Sequence, residues 1–429
     1  MVRPRLNIPR SPWLRAGGFA LLGLLFRLWH LSQPKGLVFD EVYYAKNAHS
    51  LLLHGVEIDA KGAAEFVVHP PLGKWIIALG IKAFGYNEFG WRVSAAIVGA
   101  LSIGLIYLTA EKLFAKPFIS ATAAILMACD GLHLVMSRTA LLDIFLTFFL
   151  QLALFAIISH RHWLAGIAFG CALACKWSGI YELAAFLPFI IYMAVQAHST
   201  LRTYLTRAIQ YLVLPFALYL STWVGWLISP HGFDRQSHRN RFLSLLTYHL
   251  DILDFHKQLT TAHPYSANPW SWLIQARPTA FYYQEPTGCG AAKCSQEVLA
   301  LGTPILWWIG TVSVLVLIGL WIAKREWRSG VILLALFSEY LPWFLIQKRT
   351  MFNFYAIAFE PAMILAIVAL AHRYLDGASE SKNLRLRKNI LIAIVAVVVL
   401  NFLYFLPLFT GTVIPYNTWS HRMWLPSWI

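Results

Sequence analysis

Charge is what this sequence is poor in: only 13% of its 429 residues are Asp, Glu, Lys or Arg, about half the share of an ordinary soluble domain. A chain so poor in charge, and 58% hydrophobic, is solvated mostly by lipid and is not two or three soluble domains. Acidic residues are the scarcer sign, 20 against 35 basic ones, which leaves a formal charge of +15. That balance does not indicate nucleic acid, because the Lys and Arg lie between apolar runs instead of forming one basic face. Basic residues placed that way encode membrane topology. Cysteine is sparse too, with five residues. Cys129, Cys171 and Cys175 sit in or beside apolar runs and read as inert packing residues. No P-loop or dinucleotide fingerprint occurs, so no nucleotide is required. No three or four metal ligands share a diagnostic spacing, and no metal or other cofactor is expected. Low-complexity tracts and internal repeats are also missing.

What is present is a series of apolar runs. Eleven spans are predicted, at roughly 17–31, 91–111, 117–129, 141–158, 162–175, 178–196, 208–229, 301–322, 330–346, 353–371 and 389–409. Arg3, Arg5, Arg10 and Arg15 precede the first run without a small-residue cleavage site, which reads as a retained span with a cytoplasmic N-terminus. The gaps that then fall inside hold Lys112 and Lys116; Arg161; Arg202 and Arg207; Lys324, Arg325 and Arg328; and Arg373, Lys382, Arg385, Arg387 and Lys388. The basic residues alternate with span parity, as the positive-inside rule requires. The expected fold is therefore an all-α polytopic protein of the cell membrane, a single integrated domain over 1–429 with a four-helix C-terminal region from 301. Two long segments are left outside, 32–90 and 230–300. The first holds apolar runs too short to span, suited to helices lying in the interface with Trp75 and Tyr86 at headgroup depth. In the second, Cys289 and Cys294 of GCGAAKC suit a disulfide better than a zinc site, given an oxidising outer compartment.

Candidate chemistry gathers on the outer side. Asp40 and Glu41 are adjacent carboxylates near a bilayer surface, where desolvation is costly. Asp40 suits a general base that takes a proton from an attacking hydroxyl; Glu41 would orient the acceptor or hold Asp40 through neighbouring cations. The same pair also fits a solvated helix start. Arg92, Arg138, Lys176, Lys348 and Arg349 all fall at outer span ends, where few cations are expected, and a bound phosphate would account for them. Taken singly, each also fits an interfacial snorkelling residue. Asp143 suits a salt bridge to Arg138, or a metal site shared with Asp40. His69 either lines the site or holds the Pro turn of HPPLGKW. In HPYSANPWSWL, Trp270 and Trp272 suit a sugar or peptide platform or a membrane belt, and His263 and Asn268 suit substrate hydrogen bonds or turn closure.

Several segments, in order, resemble the protein O-mannosyltransferases, the bacterial, actinobacterial-type members above all: FDEVYYAK, VVHPPLGKW, FGWRVSAAIVGALS, CDGLHLVMSRTALLDIFLTFF, CKWSGIY, HPYSANPWSWL, GTPILWW and WLPSWI. The resemblance runs from about residue 36 to the C-terminus. It implies a C-type membrane glycosyltransferase fold that moves mannose, with inversion, from polyprenyl phosphate mannose to Ser or Thr hydroxyls of exported proteins. It also implies no bound metal. The family's acidic pair falls on Asp40 and Glu41, its arginine at the start of the second span on Arg92, and its SRxxLLD segment on Arg138 and Asp143. Eukaryotic relatives carry a β-trefoil module in the large outer loop, and 230–300 is too short for one. Membrane lipids and the secretion translocon are the further partners to expect.

Two rivals remain open at this point. A related enzyme of the same fold would move another sugar, such as arabinose or aminoarabinose, to a lipid or polysaccharide. A transporter or flippase would place ionisable residues near the midplane and often show inverted repeats, whereas here the unusual charges cluster at one face.

Overall fold

The computed structural model describes residues 11–377 and 381–429. Arg3, Arg5 and Arg10 lie outside the described residues. The first helix, α1 (Pro12–Leu28), starts on a proline at its first position and ends where Trp29 turns extended, some residues earlier at both ends than the apolar run suggests. Then follow α2 (Glu41–His54), α3 (Leu72–Phe84), α4 (Glu88–Phe114), α5 (Pro117–Ala128), α6 (Gly131–Met136), α7 (Asp143–Ile158), α8 (His162–Cys175) and α9 (Gly179–Gln196). The next apolar run is not one helix: α10 (Leu201–Ala208) passes through a π-helical turn (Ile209–Val213) into α11 (Leu214–Ser221) and α12 (Val224–Ile228). The second outer segment holds α13 (Arg241–Gln258), α14 (Pro269–Trp272) and two strands, β1 (Thr279–Gln284) and β2 (Cys294–Ala300). The C-terminal region consists of α15 (Pro304–Lys324), α16 (Trp327–Tyr340), α17 (Glu360–Asp376), α18 (Ser381–Thr410), the short β3 (Ile414–Pro415) and α19 (Tyr416–Ser420). Two 3-10 segments, Leu341–Ile346 and Asn353–Ala358, flank the turn between α16 and α17.

Among the described residues, five stretches are long and apolar enough to cross a membrane: α4, α9, α15, α18 and α16 with its 3-10 continuation. The apolar helices α5, α7 and α8 are shorter. The protein is thus a multi-pass, mostly helical membrane protein. α4 is the central element, packed by α1, α3, α5 and α7. Lipid offers no hydrophobic drive between helices, so close packing depends on small residues. Gly104 shows this: a side chain there would stand 3.0 Å from the Ala16 carbonyl, so a bare glycine lets α1 lie close against α4 without strain.

The expectation of an all-helical chain is corrected by a three-stranded antiparallel sheet in the order β1-β2-β3. TAFYYQ and CSQEVLA are too short and too close to the Gly- and Cys-rich turn to stand out against the apolar runs, yet aromatic and β-branched side chains suit a half-buried pleated surface. A disulfide joins Cys289 to Cys294 at the turn of this hairpin.

The two outer segments are pinned together. Trp223, Trp226, Tyr248 and Ile252 pack against Val56 and Val67 as a separate apolar cluster. The Tyr248 hydroxyl donates to the Val67 carbonyl (2.8 Å) and accepts from the Val67 N–H (2.9 Å). That contact lays α13 across the first outer segment, which also supplies Asp40.

Candidate active site

Asp40 and Glu41 start α2 but meet different surroundings. Glu41 is fully buried and accepts from Arg92 Nε and Nη2, both at 2.8 Å, from the backbone N–H of Val38 and Ala140, both at 2.9 Å, and from the Trp91 indole at 3.3 Å. Asp40, at the N-cap, makes no capping bond to its own helix and faces a cavity instead. Burial pushes its carboxyl up to about 6; Lys176 opposes that shift and Asp143 adds to it.

Arg92 and Arg138 do not face that cavity. Arg92 spends its remaining donors on the carbonyls of Leu31, Pro34 and Gly36. Arg138 donates to the carbonyls of Arg27, Trp29 and His30, satisfying the C-terminal end of α1. The reading of these two arginines as phosphate ligands is therefore corrected: burial and saturation with loop carbonyls give them the task of fixing residues 29–40. Phe39, just before Asp40, holds φ at 48°, a conformation costly for a bulky residue. Stacking on Phe281 (4.5 Å) and edge contacts with Phe352 and Phe354 hold it there. Asp40 thus projects from a loop fixed on both sides.

Two cavities meet at this point. One, of about 550 Å³, contains Asp40, Tyr44, Glu65 and His263. The other, of about 600 Å³, runs between apolar and aromatic side chains such as Trp343, Phe344 and Leu345 and carries Lys257 and Lys348. His69, Lys176, His256 and Arg349 line both and form the boundary. Lys176 pairs with Asp143 at 2.7 Å and lies over the Tyr355 ring. Asp143 therefore pairs with Lys176, where the sequence suggested Arg138. Burial alone would lower the Lys176 ammonium; Asp143 and Tyr355 together more than reverse this and raise it. Among the described residues no group of three or more His, Cys, Asp or Glu is arranged to hold a metal ion.

His256 is the member that sequence reasoning missed. Its Nε2 lies 3.0 Å from the Val68 carbonyl and its Nδ1 3.3 Å from Arg349 Nη2. The carbonyl requires the Nε2–H tautomer, so Nδ1 accepts from the guanidinium. Burial, Arg349 and Lys176 lower this imidazole to about 4, and burial, Lys176 and His256 hold His69 well below its usual range. Both rings are neutral near pH 7. The only signal in the sequence was a His one residue before a Lys in an outer amphipathic helix, which points to no particular role.

The other candidates divide. Lys348 is exposed on the apolar cavity, and His263 lines the Asp40 cavity, edge-on to Phe352 at 4.9 Å. Trp270 and Asn268 are exposed and line neither cavity, and Trp272 is buried with its indole on the Ala267 carbonyl. Of the two tryptophans offered as a platform or a membrane belt, Trp272 packs in the core and Trp270 stands exposed on the short α14.

The family described as dolichyl-phosphate-mannose-protein mannosyltransferase matches residues 18–225, and that described as the C-terminal four-span region of protein O-mannosyltransferase matches 241–428. A polyprenol-phosphate-mannose–protein mannosyltransferase of Mycobacterium tuberculosis is 33% identical, with 97% of this chain and 92% of that protein aligned. The chain belongs to the protein O-mannosyltransferase family. A relative of the same description from Corynebacterium glutamicum is 30% identical over 98% of this chain and 95% of its own length. Among solved structures, the S. cerevisiae protein O-mannosyltransferase Pmt1-Pmt2 complex bound to the sugar donor superimposes with a TM-score of 0.81 at 16% identity, covering 97% of this chain and 92% of that one. ArnT from Cupriavidus metallidurans bound to undecaprenyl phosphate gives 0.58, also at 16% identity, covering 96% and 76%. At such identities these likenesses speak for the fold, a C-type membrane glycosyltransferase. In this mannosyltransferase-family chain, the Glu41 carboxylate is clamped and the Asp40 carboxylate is open to the cavity.

Proposed function

We propose that this protein transfers mannose, with inversion, from polyprenyl phosphate mannose to Ser or Thr hydroxyls of exported proteins. The observation that carries this reading is the junction of the two cavities. An apolar groove suited to an isoprenoid tail runs up to Lys176 and Arg349, and Asp40 lies beyond them in the second cavity. The donor phosphate rests on Lys176 and Arg349, with Lys348 at the groove's mouth. These cations stabilise the charge that builds on the phosphate as the bond from the mannose anomeric carbon to the phosphate oxygen breaks. Asp40 takes the acceptor hydroxyl proton, and the acceptor oxygen attacks that carbon from the opposite face. Polyprenyl phosphate leaves, and the energy comes from the lipid phosphate bond without a nucleotide. A carboxyl near 6 is mostly ionised at pH 7 yet basic enough to accept a proton. Glu41 holds the loop and does not contact substrate.

The finer topology belongs to the same reading: eleven crossings of the cytoplasmic membrane as one integrated domain, the N-terminus inside, and Asp40 outside, where exported chains emerge from the translocon. Alternating basic gaps support it. Metal-free transfer is part of the proposal. The deciding experiment supplies radiolabelled mannose on synthetic polyprenyl phosphate to purified enzyme with either a Ser/Thr-rich exported peptide or a lipid acceptor. Label in the peptide alone, removed by β-elimination, supports the proposal. Label in the lipid, or transfer only from an arabinose-type donor, overturns it.

A further inference from the structure

At the end of the helix bundle away from Asp40 lies a cavity that the mannosyl-transfer scheme does not use. α7 begins at Asp143 beside Lys176 and ends at Ile158, about 24 Å away along its axis. Around that far end, Ile158, Phe189, Ile190, Met193, Trp327 and Val331 enclose about 610 Å³. Its polar lining consists of His160, His162, Ser199, Thr203 and Arg207, with no carboxylate.

This polar edge is held from behind. The π-helical turn Ile209–Val213 adds a residue to the helical path and aims two buried side chains at the edge. Gln210 accepts from Arg207 Nη1 at 2.7 Å, and the Tyr211 hydroxyl lies 2.7 Å from His162 Nδ1. Tyr211 is fully buried and Gln210 nearly so. α8 reaches this turn because Gly166 has no side chain, since a Cβ would come within 1.9 Å of the Gln210 carbonyl. The buried pair fixes Arg207 and the His162 ring while leaving further guanidinium donors and His162 Nε2 for a ligand.

We propose that this cavity is a binding site for an anionic glycerophospholipid of the leaflet opposite the catalytic face. Its phosphate would rest on Arg207 and His162, and one acyl chain would lie along Phe189, Ile190 and Met193. Three features favour a lipid. The lining unites basic and hydroxyl groups with an apolar wall. It lacks any carboxylate to satisfy Arg207. The site also falls at a helix end, where basic pockets between membrane helices bind lipid headgroups. A soluble anion would leave the apolar wall unused, and a zwitterionic lipid would bring an ammonium beside Arg207.

The test uses the purified full chain in a nonionic detergent and native mass spectrometry, with palmitoyl-oleoyl phosphatidylglycerol and the matching phosphatidylcholine as probes. Wild type should retain the anionic lipid about tenfold better, the scale of one charge-assisted contact. Arg207→Gln should bring the two near parity, and Ala194→Trp, which fills the cavity from α9, should lower both. Equal retention by wild type, an undiminished preference in Arg207→Gln, or displacement by millimolar inorganic phosphate alone would overturn the site. If Arg207→Gln does not accumulate, Ala194→Trp decides: wild-type lipid retention there refutes the proposal.

Discussion

Glu41 and Arg92 meet as a fork-to-fork pair, Nε to Oε1 and Nη2 to Oε2 at 2.8 Å each, both side chains wholly out of solvent. Bidentate pairing fixes orientation as well as distance, and here it fixes the loop that ends in Asp40. Of two neighbouring carboxylates, one therefore gives position and the other is free for chemistry.

Glu41→Gln should act through folding. It leaves the Arg92 charge buried without its partner, a loss of about 3–5 kcal/mol. Thermal unfolding of the detergent-solubilised variant should show a clear drop in midpoint, with less folded protein recovered. Unchanged stability with lost turnover would instead give Glu41 a chemical role.

The pH profile should carry the signature of Asp40. His69 and His256 have lowered values and stay neutral, so the acid limb of kcat/KM belongs to the carboxyl near 6. Activity should fall about tenfold per pH unit below that point and level off above it. Stability should run the other way. The folded value lies above the ordinary 3.8, so the native state binds more protons between about pH 4 and 6 and loses stability as pH rises through that window. Asp40→Asn escapes this penalty: its unfolding midpoint should exceed that of wild type above pH 6 and match it below pH 4.

Arg349 and Lys348 are neighbours with unequal weight. Arg349 is half-buried, oriented by His256, and lines both cavities, whereas Lys348 is exposed. Arg349→Gln should cost about 10–100-fold in kcat/KM for the lipid donor, the scale of a charge-assisted hydrogen bond. Lys348→Gln should cost less than about fivefold, since an exposed charge contributes roughly 0–1 kcal/mol. Steady-state assays with the lipid donor varied separate the two.

Transfer should survive exhaustive chelation. After EDTA treatment and gel filtration into metal-free buffer, the rate should stay within about twofold of the untreated enzyme, because positioning and electrostatics carry the chemistry. Loss of activity restored by one added divalent ion would reverse this point.

The sequence carried the helices and the site's charges unevenly. Long apolar runs such as 301–322 and 389–409 became α15 and α18 because lipid burial dictates both length and composition. Lys176 and Arg349 were legible as cations where few belong, and they stand together at the boundary of the two cavities. Arg92 and Arg138 gave the same signal for another reason: they satisfy loop carbonyls, and spacing along the chain does not distinguish a clamp from a ligand. His256 was hidden because its partners, Val68 and Arg349, lie 188 and 93 residues away. The β-hairpin and the π-helical turn were missed because both are short and follow tertiary packing more than local propensity.

The most direct test is single-turnover mannosyl transfer by purified Asp40→Asn enzyme, with polyprenyl phosphate mannose bound at saturation and a Ser/Thr peptide as acceptor. The account predicts normal folding and donor binding with the transfer rate lowered about 10²–10⁴-fold, the range for a lost general base. A wild-type transfer rate would contradict it.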